Sequence, residues 1–178
     1  QILYNEITIN YGGGLKINGS SPLFDNLTVS WNTSGVGGGV YIYGGSALIT
    51  NFTIDNNTAG YGNGGGGIYA FSSNAVFSNG LVSNNNAVNY GGGIALRHPS
   101  TTTITNVEIS NNFSSYQGGG ISLHQCAVNL SNVKILNNQT NGSGGGVYFY
   151  DNNNHSTVDS CIVSNNSATK GGGFFITR

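Results

Sequence analysis

The sequence contains few charged residues. Only five of its 178 residues are Lys or Arg and six are Asp or Glu, which gives a formal net charge of −1. Domains that bind nucleic acids usually carry a basic patch, and segments that bind anionic membranes carry clusters of Lys and Arg. The composition therefore argues against a nucleic-acid partner and against binding to a membrane surface.

Long apolar runs, methionine and cysteine are also scarce. No run of about 18 apolar residues is present, so we expect no membrane insertion. The chain has no Met and does not begin at an initiator, which fits a mature secreted protein or a segment of a longer chain. Its two cysteines, Cys126 and Cys161, fall at different positions of neighbouring repeats. We therefore expect two buried thiols and not a stacked disulfide.

Glycine, by contrast, is abundant and regularly placed. Seven Gly-Gly-Gly triplets, each followed by an apolar residue, recur 25 to 28 residues apart. They begin at Gly12, Gly37, Gly65, Gly91, Gly118, Gly144 and Gly171. A period in this range is typical of a solenoid.

The stretch after each triplet has the pattern of a strand with one buried face. Its first position is Leu15, Val40, Ile68, Ile94, Ile121, Val147 or Phe174. Its third position is Ile17, Ile42, Ala70, Leu96, Leu123, Phe149 or Ile176. Alternation with a period of two predicts a strand whose apolar side chains point inward.

Two further strands follow in each repeat. Their inward columns are Leu3, Phe24, Ile49, Phe77, Ile104, Leu130 and Val158, and then Val29, Ile54, Val82, Ile109, Ile135 and Val163. Two residues after each apolar position comes a polar column: Asn5, Asn26, Asn51, Asn79, Asn106, Asn132 and Ser160 in the second strand, and Trp31, Asn56, Asn84, Asn111, Asn137 and Asn165 in the third. By alternation we predict that the asparagines point inward and form ladders of hydrogen-bonded amides.

Three short strands per repeat, bent at Asn and Gly corners, predict an all-β fold: a single-stranded parallel β-helix of about seven coils of 25–28 residues. Residues 1–178 form one domain, with a stacking distance of about 4.8 Å between coils. No coil can bury its own apolar face, so only stacking stabilises the rod. The chain begins and ends within a coil. We therefore expect open ends that continue a longer solenoid or pair head to tail with further copies.

The repeat resembles a known family. Its Gly-Gly-Gly-[Ile/Val/Leu] strands are preceded by segments such as Asn57-Thr58-Ala59, Asn86-Ala87 and Asn166-Ser167-Ala168. This arrangement resembles the polymorphic outer membrane protein repeats of chlamydial surface autotransporters. The resemblance implies a pectin-lyase-like β-helix, right-handed, that acts as a surface adhesin. The chain departs from that family in its third glycine and in Phe77-Ser78-Asn79, which has one spacer where the family has two.

Eleven asparagines stand in Asn-x-Ser/Thr sequons, about twice the number expected from composition. Four of them, Asn26, Asn51, Asn56 and Asn165, belong to the predicted inward ladders, where a glycan would not fit. The other seven are predicted to face outward or to lie in loops, and several of them to carry glycans: Asn18, Asn32, Asn112, Asn129, Asn138, Asn141 and Asn154. The alternative is that an Asn-rich repeat creates sequons by chance.

The outward positions of the first strand carry aromatic residues. One column contains Tyr41, Tyr69 and Tyr148, and the other contains Tyr43, Phe71 and Tyr150. Such ladders can stack on sugars or cover a partner. They can also pack on each other, because aromatic residues favour strands, and we prefer this packing interpretation.

Enzyme chemistry has little support. Asp25 and Asp159 share a column but lie at opposite ends of the rod, so adjacent coils supply no carboxylate pair. Arg97 and His124 share a column in adjacent coils, and we interpret them as surface polar residues. The histidines, including His98 and His155, lack metal-ligand spacing. We predict no catalytic activity, no metal and no cofactor.

The sequence thus favours an extracellular structural protein. We expect a glycosylated β-helix that forms or joins a surface filament by end-to-end stacking of its coils, so that its main partner is another copy. A surface adhesin or carbohydrate-binding module that uses the aromatic columns is the second interpretation. A polysaccharide lyase or hydrolase is the third.

Overall fold

The computed structural model describes residues 1–7, 9–98, 101–150 and 155–178. These residues form only strands, turns and bends, so they contain no helix that is long and apolar enough to cross a membrane. Each strand pairs in parallel with the equivalent strand one coil later. The predicted parallel β-helix is confirmed. The seven strands of its first sheet enclose six complete turns, one fewer than the coil count suggested.

Three parallel sheets run along the rod. The first sheet contains Leu15–Asn18, Val40–Tyr43, Ile68–Phe71, Ile94–Arg97, Ile121–His124, Val147–Tyr150 and Phe174–Thr177. The second contains Ile2–Leu3, Leu23–Ser30, Leu48–Asp55, Val76–Ser83, Thr101–Ser110, Ala127–Ser131, Lys134–Leu136, Thr157–Asp159 and Ile162–Ser164. The third contains Thr33–Ser34, Thr58–Ala59, Asn86–Ala87, Phe113–Ser114 and Gln139–Thr140.

The predicted inward columns form the core. In the first sheet Ile94 pairs with Ile68 and with Ile121, and in the second Ile104 pairs with Phe77; all five side chains are fully buried. One assignment at the start of the chain is wrong. Leu3 pairs with Ser30, so the first strand belongs to the column of Val29 and not to that of Phe24. Its apolar-x-Asn pattern fits either column equally well.

Both predicted inward asparagine columns are wrong in orientation. Asn26, Asn51, Asn79, Asn106 and Asn132 have φ angles of 50° to 57°, and their side chains are exposed. The second column behaves in the same way: Trp31, Asn56, Asn84, Asn111, Asn137 and Asn165 have φ angles of 54° to 60° and are exposed or half-buried. Asparagine tolerates this left-handed conformation better than most residues. Each such residue turns the chain through a corner and therefore breaks the alternation on which the prediction rested.

A buried asparagine ladder does exist, one residue after the second of these columns. It consists of the buried Asn32, Asn57, Asn85, Asn112 and Asn138, with the exposed Asn5 and the half-buried Asn166 at its two ends. The backbone N–H and the Nδ2 of Asn85 both donate to Oδ1 of Asn112, at 3.0 Å each. The same Nδ2 also donates to the carbonyl oxygen of Ile54 at 3.0 Å. The ladder therefore satisfies its own amides and the backbone at the corner.

The glycine triplets mark the corner between the third and the first sheet, next to the ladder. Gly118 has a φ of +69°, a conformation that costs little only for glycine. A Cβ on Gly119 would lie 2.5 Å from the carbonyl oxygen of Gly145 and 2.6 Å from that of Gln139. The second position of the triplet therefore has no room for a Cβ, and the first has a backbone conformation that favours glycine.

The two cysteines are thiols, as predicted, but only one is buried. Cys126 is fully buried and donates its Sγ hydrogen to the carbonyl oxygen of Leu96. Burial raises the pKa of its thiol to about 12. Cys161 is half-buried at the margin of the same core.

Candidate functional site

Three predicted glycosylation sites are buried in the ladder. Asn32, Asn112 and Asn138 are at most 1% exposed, and the Nδ2 of each donates hydrogen bonds to the next ladder asparagine and to a backbone carbonyl. An N-linked glycan is attached through this nitrogen and needs open space around it. The prediction that these three side chains face outward is wrong.

The remaining predicted sites divide by position. Asn18 and Asn141 are exposed, and Asn129 is half-buried and accepts a hydrogen bond from the Thr157 hydroxyl at 3.0 Å. Asn154 lies outside the described residues. Glycosylation at these positions stays a prediction.

The sequons that sequence analysis set aside are open to solvent. Asn26, Asn51 and Asn165 are exposed and Asn56 is half-buried, because each occupies a left-handed corner. For Asn56 and Asn165, the signal that could have found them is the Asn-Asn pair of many repeats. In each pair the first residue turns the corner and the second enters the ladder.

The first aromatic column points away from the main core but is covered. Tyr41, Tyr69 and Tyr148 are 8%, 3% and 3% exposed. Tyr41 stacks on Tyr69 with ring centroids 5.5 Å apart, and Val36 and Ala95 complete a second apolar cluster around them. Burial and the neighbouring tyrosines raise the pKa of Tyr41 to about 12. For these three residues the packing interpretation is correct, and they offer no open platform for a sugar.

The second aromatic column is the accessible one. Tyr43 and Tyr150 are 48% and 40% exposed, and Phe71 is half-buried. Tyr43 stacks on Phe71 with centroids 5.5 Å apart, and Phe71 contacts the ring of His98 at 4.4 Å. An aromatic stripe therefore runs across the first sheet, along the C-terminal ends of its strands.

Arg97 and His124 interrupt this stripe between Phe71 and Tyr150. Nη2 of Arg97 lies 3.4 Å from Nδ1 of His124. Its Nη1 donates to Oδ1 of Asn63 at 2.5 Å, and its guanidinium lies 4.9 Å from the ring centre of Tyr90. Both residues are half-buried on the outward side of the first sheet.

The contact between Arg97 and His124 defines the tautomer of the imidazole. A guanidinium can only donate, so Nδ1 of His124 accepts and Nε2 carries the hydrogen. Burial, and secondarily the charge of Arg97, lower the pKa of His124 to about 4. His124 is therefore neutral at pH 7, and Arg97 supplies the positive charge of the pair.

A cavity of about 210 Å³ adjoins this pair and is lined by Arg97, His98, His124, Gln125 and Tyr150. Nε of Arg97 and Nε2 of His124 are buried and make no hydrogen bond to any described residue. The cavity is therefore lined by one positively charged side chain and by three rings, and two unused N–H donors lie buried in its walls. The repeat pattern predicts that Arg97 and His124 share a column, but it carries no signal for the cavity.

The described carboxylates do not form a pair. Asp25 accepts hydrogen bonds from the side chains of Thr50 and Asn51, which lower its pKa. Glu108 accepts from the Ser110 hydroxyl at 2.9 Å. Within the described parts of the chain, no three His, Cys, Asp or Glu side chains are grouped as metal ligands. Asp151 lies outside those parts.

Comparison with known proteins identifies the repeat. The sequence profile of a family described as a right-handed β-helix region matches residues 13–178. The match covers every strand of the first sheet and agrees with the handedness expected from the resemblance. No curated protein and no solved structure matches the chain.

Proposed function

This chain belongs to the right-handed β-helix family, and from that premise we propose that it is a non-catalytic, extracellular structural protein. In this proposal its coils continue a longer fibrous assembly. The observation that carries the proposal is the asparagine ladder from Asn5 to Asn166, buried from Asn32 to Asn138, which repeats the same hydrogen bonds in every coil.

Such a ladder can be extended by one coil at a time. Oδ1 of Asn166 accepts from the backbone and the side chain of Asn138 at 2.8 and 3.0 Å. In every earlier coil the ladder asparagine also donates to the next one. A further coil that carries an asparagine at this position would accept from Asn166 in the same way.

The apolar columns lead to the same expectation. In the inner coils the inward side chains Leu123 and Leu130 are 0% and 1% exposed. In the last described rung their equivalents Ile176 and Val158 are 74% and 46% exposed. A further coil, from another copy or from more of the natural chain, would bury this surface.

A matched pair of valines tests assembly. Val158 in the last rung and Val88 on the side of the rod are both 46% exposed. We expect the 178-residue chain to form rods much longer than about 35 Å, the length of seven stacked coils. Val158→Glu should abolish them and Val88→Glu should leave them intact, as measured by electron microscopy and sedimentation velocity.

Thermal unfolding of both variants serves as the control for folding. Monomeric particles of the unmodified chain at high protein concentration would contradict assembly between copies. Equal loss of assembly in both variants would show that the last rung is not the contact.

The accessible aromatic stripe supports a second candidate function, adhesion through carbohydrate binding. Tyr43 and Tyr150 are 48% and 40% exposed at the C-terminal ends of their first-sheet strands. Under this proposal a glycan array detects binding, and Tyr43→Ala combined with Tyr150→Ala abolishes it. Tyr69→Ala combined with Tyr148→Ala, on the covered column, tests general destabilisation. The proposed resemblance to chlamydial surface repeats favours the same function by analogy.

A further inference from the structure

We propose that the cavity beside Arg97 and His124 binds a small aromatic carboxylate. The site lies on the outward face of the first sheet and is separate from the ladder and from the last rung. Failure of ligand binding at this site would therefore leave the assembly proposed above untouched, and failure of assembly would leave this site untouched.

Two N–H groups of Arg97 and His124 have no hydrogen-bond partner among the described residues. Nε of Arg97 is always a donor, and Nε2 of His124 is a donor because Nδ1 accepts from Arg97. Both atoms are buried without a partner among the described residues, which is unfavourable for polar groups. Each atom exposes less than 1 Å² to solvent, so a ligand reaches it only after a small shift of the lining side chains, and acceptor atoms on that ligand would then relieve this cost.

The Arg97–His124 pair carries a single positive charge. Arg97 carries one positive charge and His124 is neutral near pH 7, so a monoanion matches the site. A carboxylate fits the planar fork of a guanidinium, with one oxygen at Nε and the other at the adjacent Nη. The Nη2 atom that faces His124 has a second hydrogen for this purpose.

The walls and the volume of the cavity suit a small planar ring. Three of the five lining residues, His98, His124 and Tyr150, carry rings. The volume of about 210 Å³ is below the range of typical drug-sized pockets, so the ligand is small. A planar ring that carries the carboxylate would stack against these walls.

An NMR titration with sodium benzoate tests the proposal. The signals are the Nε–H of Arg97 and the ring of His124 in ¹⁵N-labelled protein. We expect saturable shifts with benzoate, and binding about tenfold weaker with acetate, which lacks the ring, and with benzyl alcohol, which lacks the charge. Shifts that rise linearly without saturation, or that sodium chloride reproduces at equal ionic strength, would overturn the proposal.

Three variants separate binding from folding. Arg97→Gln should abolish the saturable shifts of His124. Arg97→Lys, which keeps the charge but loses the fork, should weaken binding about tenfold. Lys134→Gln, which removes one positive charge from the exposed second sheet, should bind as the unmodified protein does. Equal affinity in Arg97→Lys and the unmodified protein would refute recognition by the fork.

The chain also has a carboxylate close to the site in sequence, since Asp151 directly follows Tyr150. The Arg97 Nε–H signal is therefore compared between the unmodified protein and Asp151→Asn without added ligand. We expect no change. A shift as large as that caused by benzoate would mean that the chain supplies its own acceptor, which would overturn the proposal.

Discussion

Adjacent asparagines in this chain have opposite roles. Asn111 turns a corner with a φ of 57° and is exposed, whereas Asn112 is buried in the ladder. Oδ1 of Asn112 accepts from both the backbone and the side chain of Asn85, and its Nδ2 donates to Val82 and Asn138. The stability of each coil thus depends on the second residue of the pair.

Substitution of the two members separates these roles. Asn112→Leu keeps the volume but leaves the two N–H donors of Asn85 and the carbonyl of Val82 without partners. We expect a loss of about 3–5 kcal/mol in the free energy of unfolding. Asn111→Ala should cost only about 1 kcal/mol, through backbone strain. Urea denaturation followed by circular dichroism measures both, and similar losses would contradict the assigned roles.

The same geometry predicts which sequons carry glycans. In folded protein from a secretory eukaryotic host, we expect occupancy at exposed sites such as Asn18 and Asn141 and none at Asn112 or Asn138, whose Nδ2 atoms are engaged. Peptide mapping by mass spectrometry, with and without glycosidase treatment, gives occupancy at each site. A glycan on Asn112 in folded protein would refute the ladder.

His124 should make stability depend on pH. Its folded pKa of about 4 is below the value near 6.5 of an unfolded chain, so the unfolded state binds more protons between these values. The stability that neutral His124 contributes is complete above pH 6.5 and is lost as the pH falls toward 4. We expect the melting temperature to fall over this range and to fall less in His124→Gln. An equal fall in His124→Gln and in the unmodified protein would contradict this role of His124.

At the scale of the strand and the corner, each corner has its own chemical requirement. The Asn corners need a residue that tolerates positive φ, and the Gly corner needs a residue without Cβ. Gly119 lies against carbonyl oxygens of the next coil, whereas a Cβ on Gly60 would meet only Ser34 at 3.8 Å. Two alanine substitutions can therefore measure the crowding directly.

Gly119→Ala should lower the free energy of unfolding by about 2–3 kcal/mol, because the backbone oxygens it meets cannot move aside. Gly60→Ala should change it by less than about 0.5 kcal/mol. Thermal or urea unfolding monitored by circular dichroism gives both values. Equal effects would show that the triplet is not held by close packing between coils.

The strand pattern predicted the inward columns because apolar alternation repeats in every coil. The same pattern placed the amide ladder one residue too early. A residue with positive φ turns the chain at this point, so the inward and outward positions after it are shifted by one. Arg97 and His124 were placed correctly in one column. Their burial was not predicted, because it depends on Tyr90 and Asn63 from the segments that precede the glycine triplets.

At the scale of the whole molecule, the rod is a one-dimensional array in which each coil contacts its neighbours. Such an array should tolerate removal of one complete unit, because the new junction restores every column. Residues 121–146 form such a unit, since Ile121 pairs with Val147. Their deletion joins Gly120 to Val147 and recreates a triplet followed by an apolar strand.

We expect this deletion to fold with a β-rich spectrum and a rod shorter by about 4.8 Å, measured by small-angle scattering. Deletion of residues 121–133 removes part of a coil and should not fold, because it puts polar residues in apolar columns. Cooperative unfolding of the complete-coil variant by circular dichroism confirms its folding. Failure of both deletions to fold would contradict the modular description.

The coils differ in length, and the difference is confined to two corners. Between equivalent third-sheet and first-sheet positions, Ser34 and Val40 are six residues apart but Ala59 and Ile68 are nine. Between the first and second sheets, Leu15 and Phe24 are nine apart but Val147 and Val158 are eleven. Both variable corners border the sheet that carries the Arg97 cavity. This face can therefore acquire inserted loops and new specificity during evolution, while the remaining arc of each coil preserves the rod.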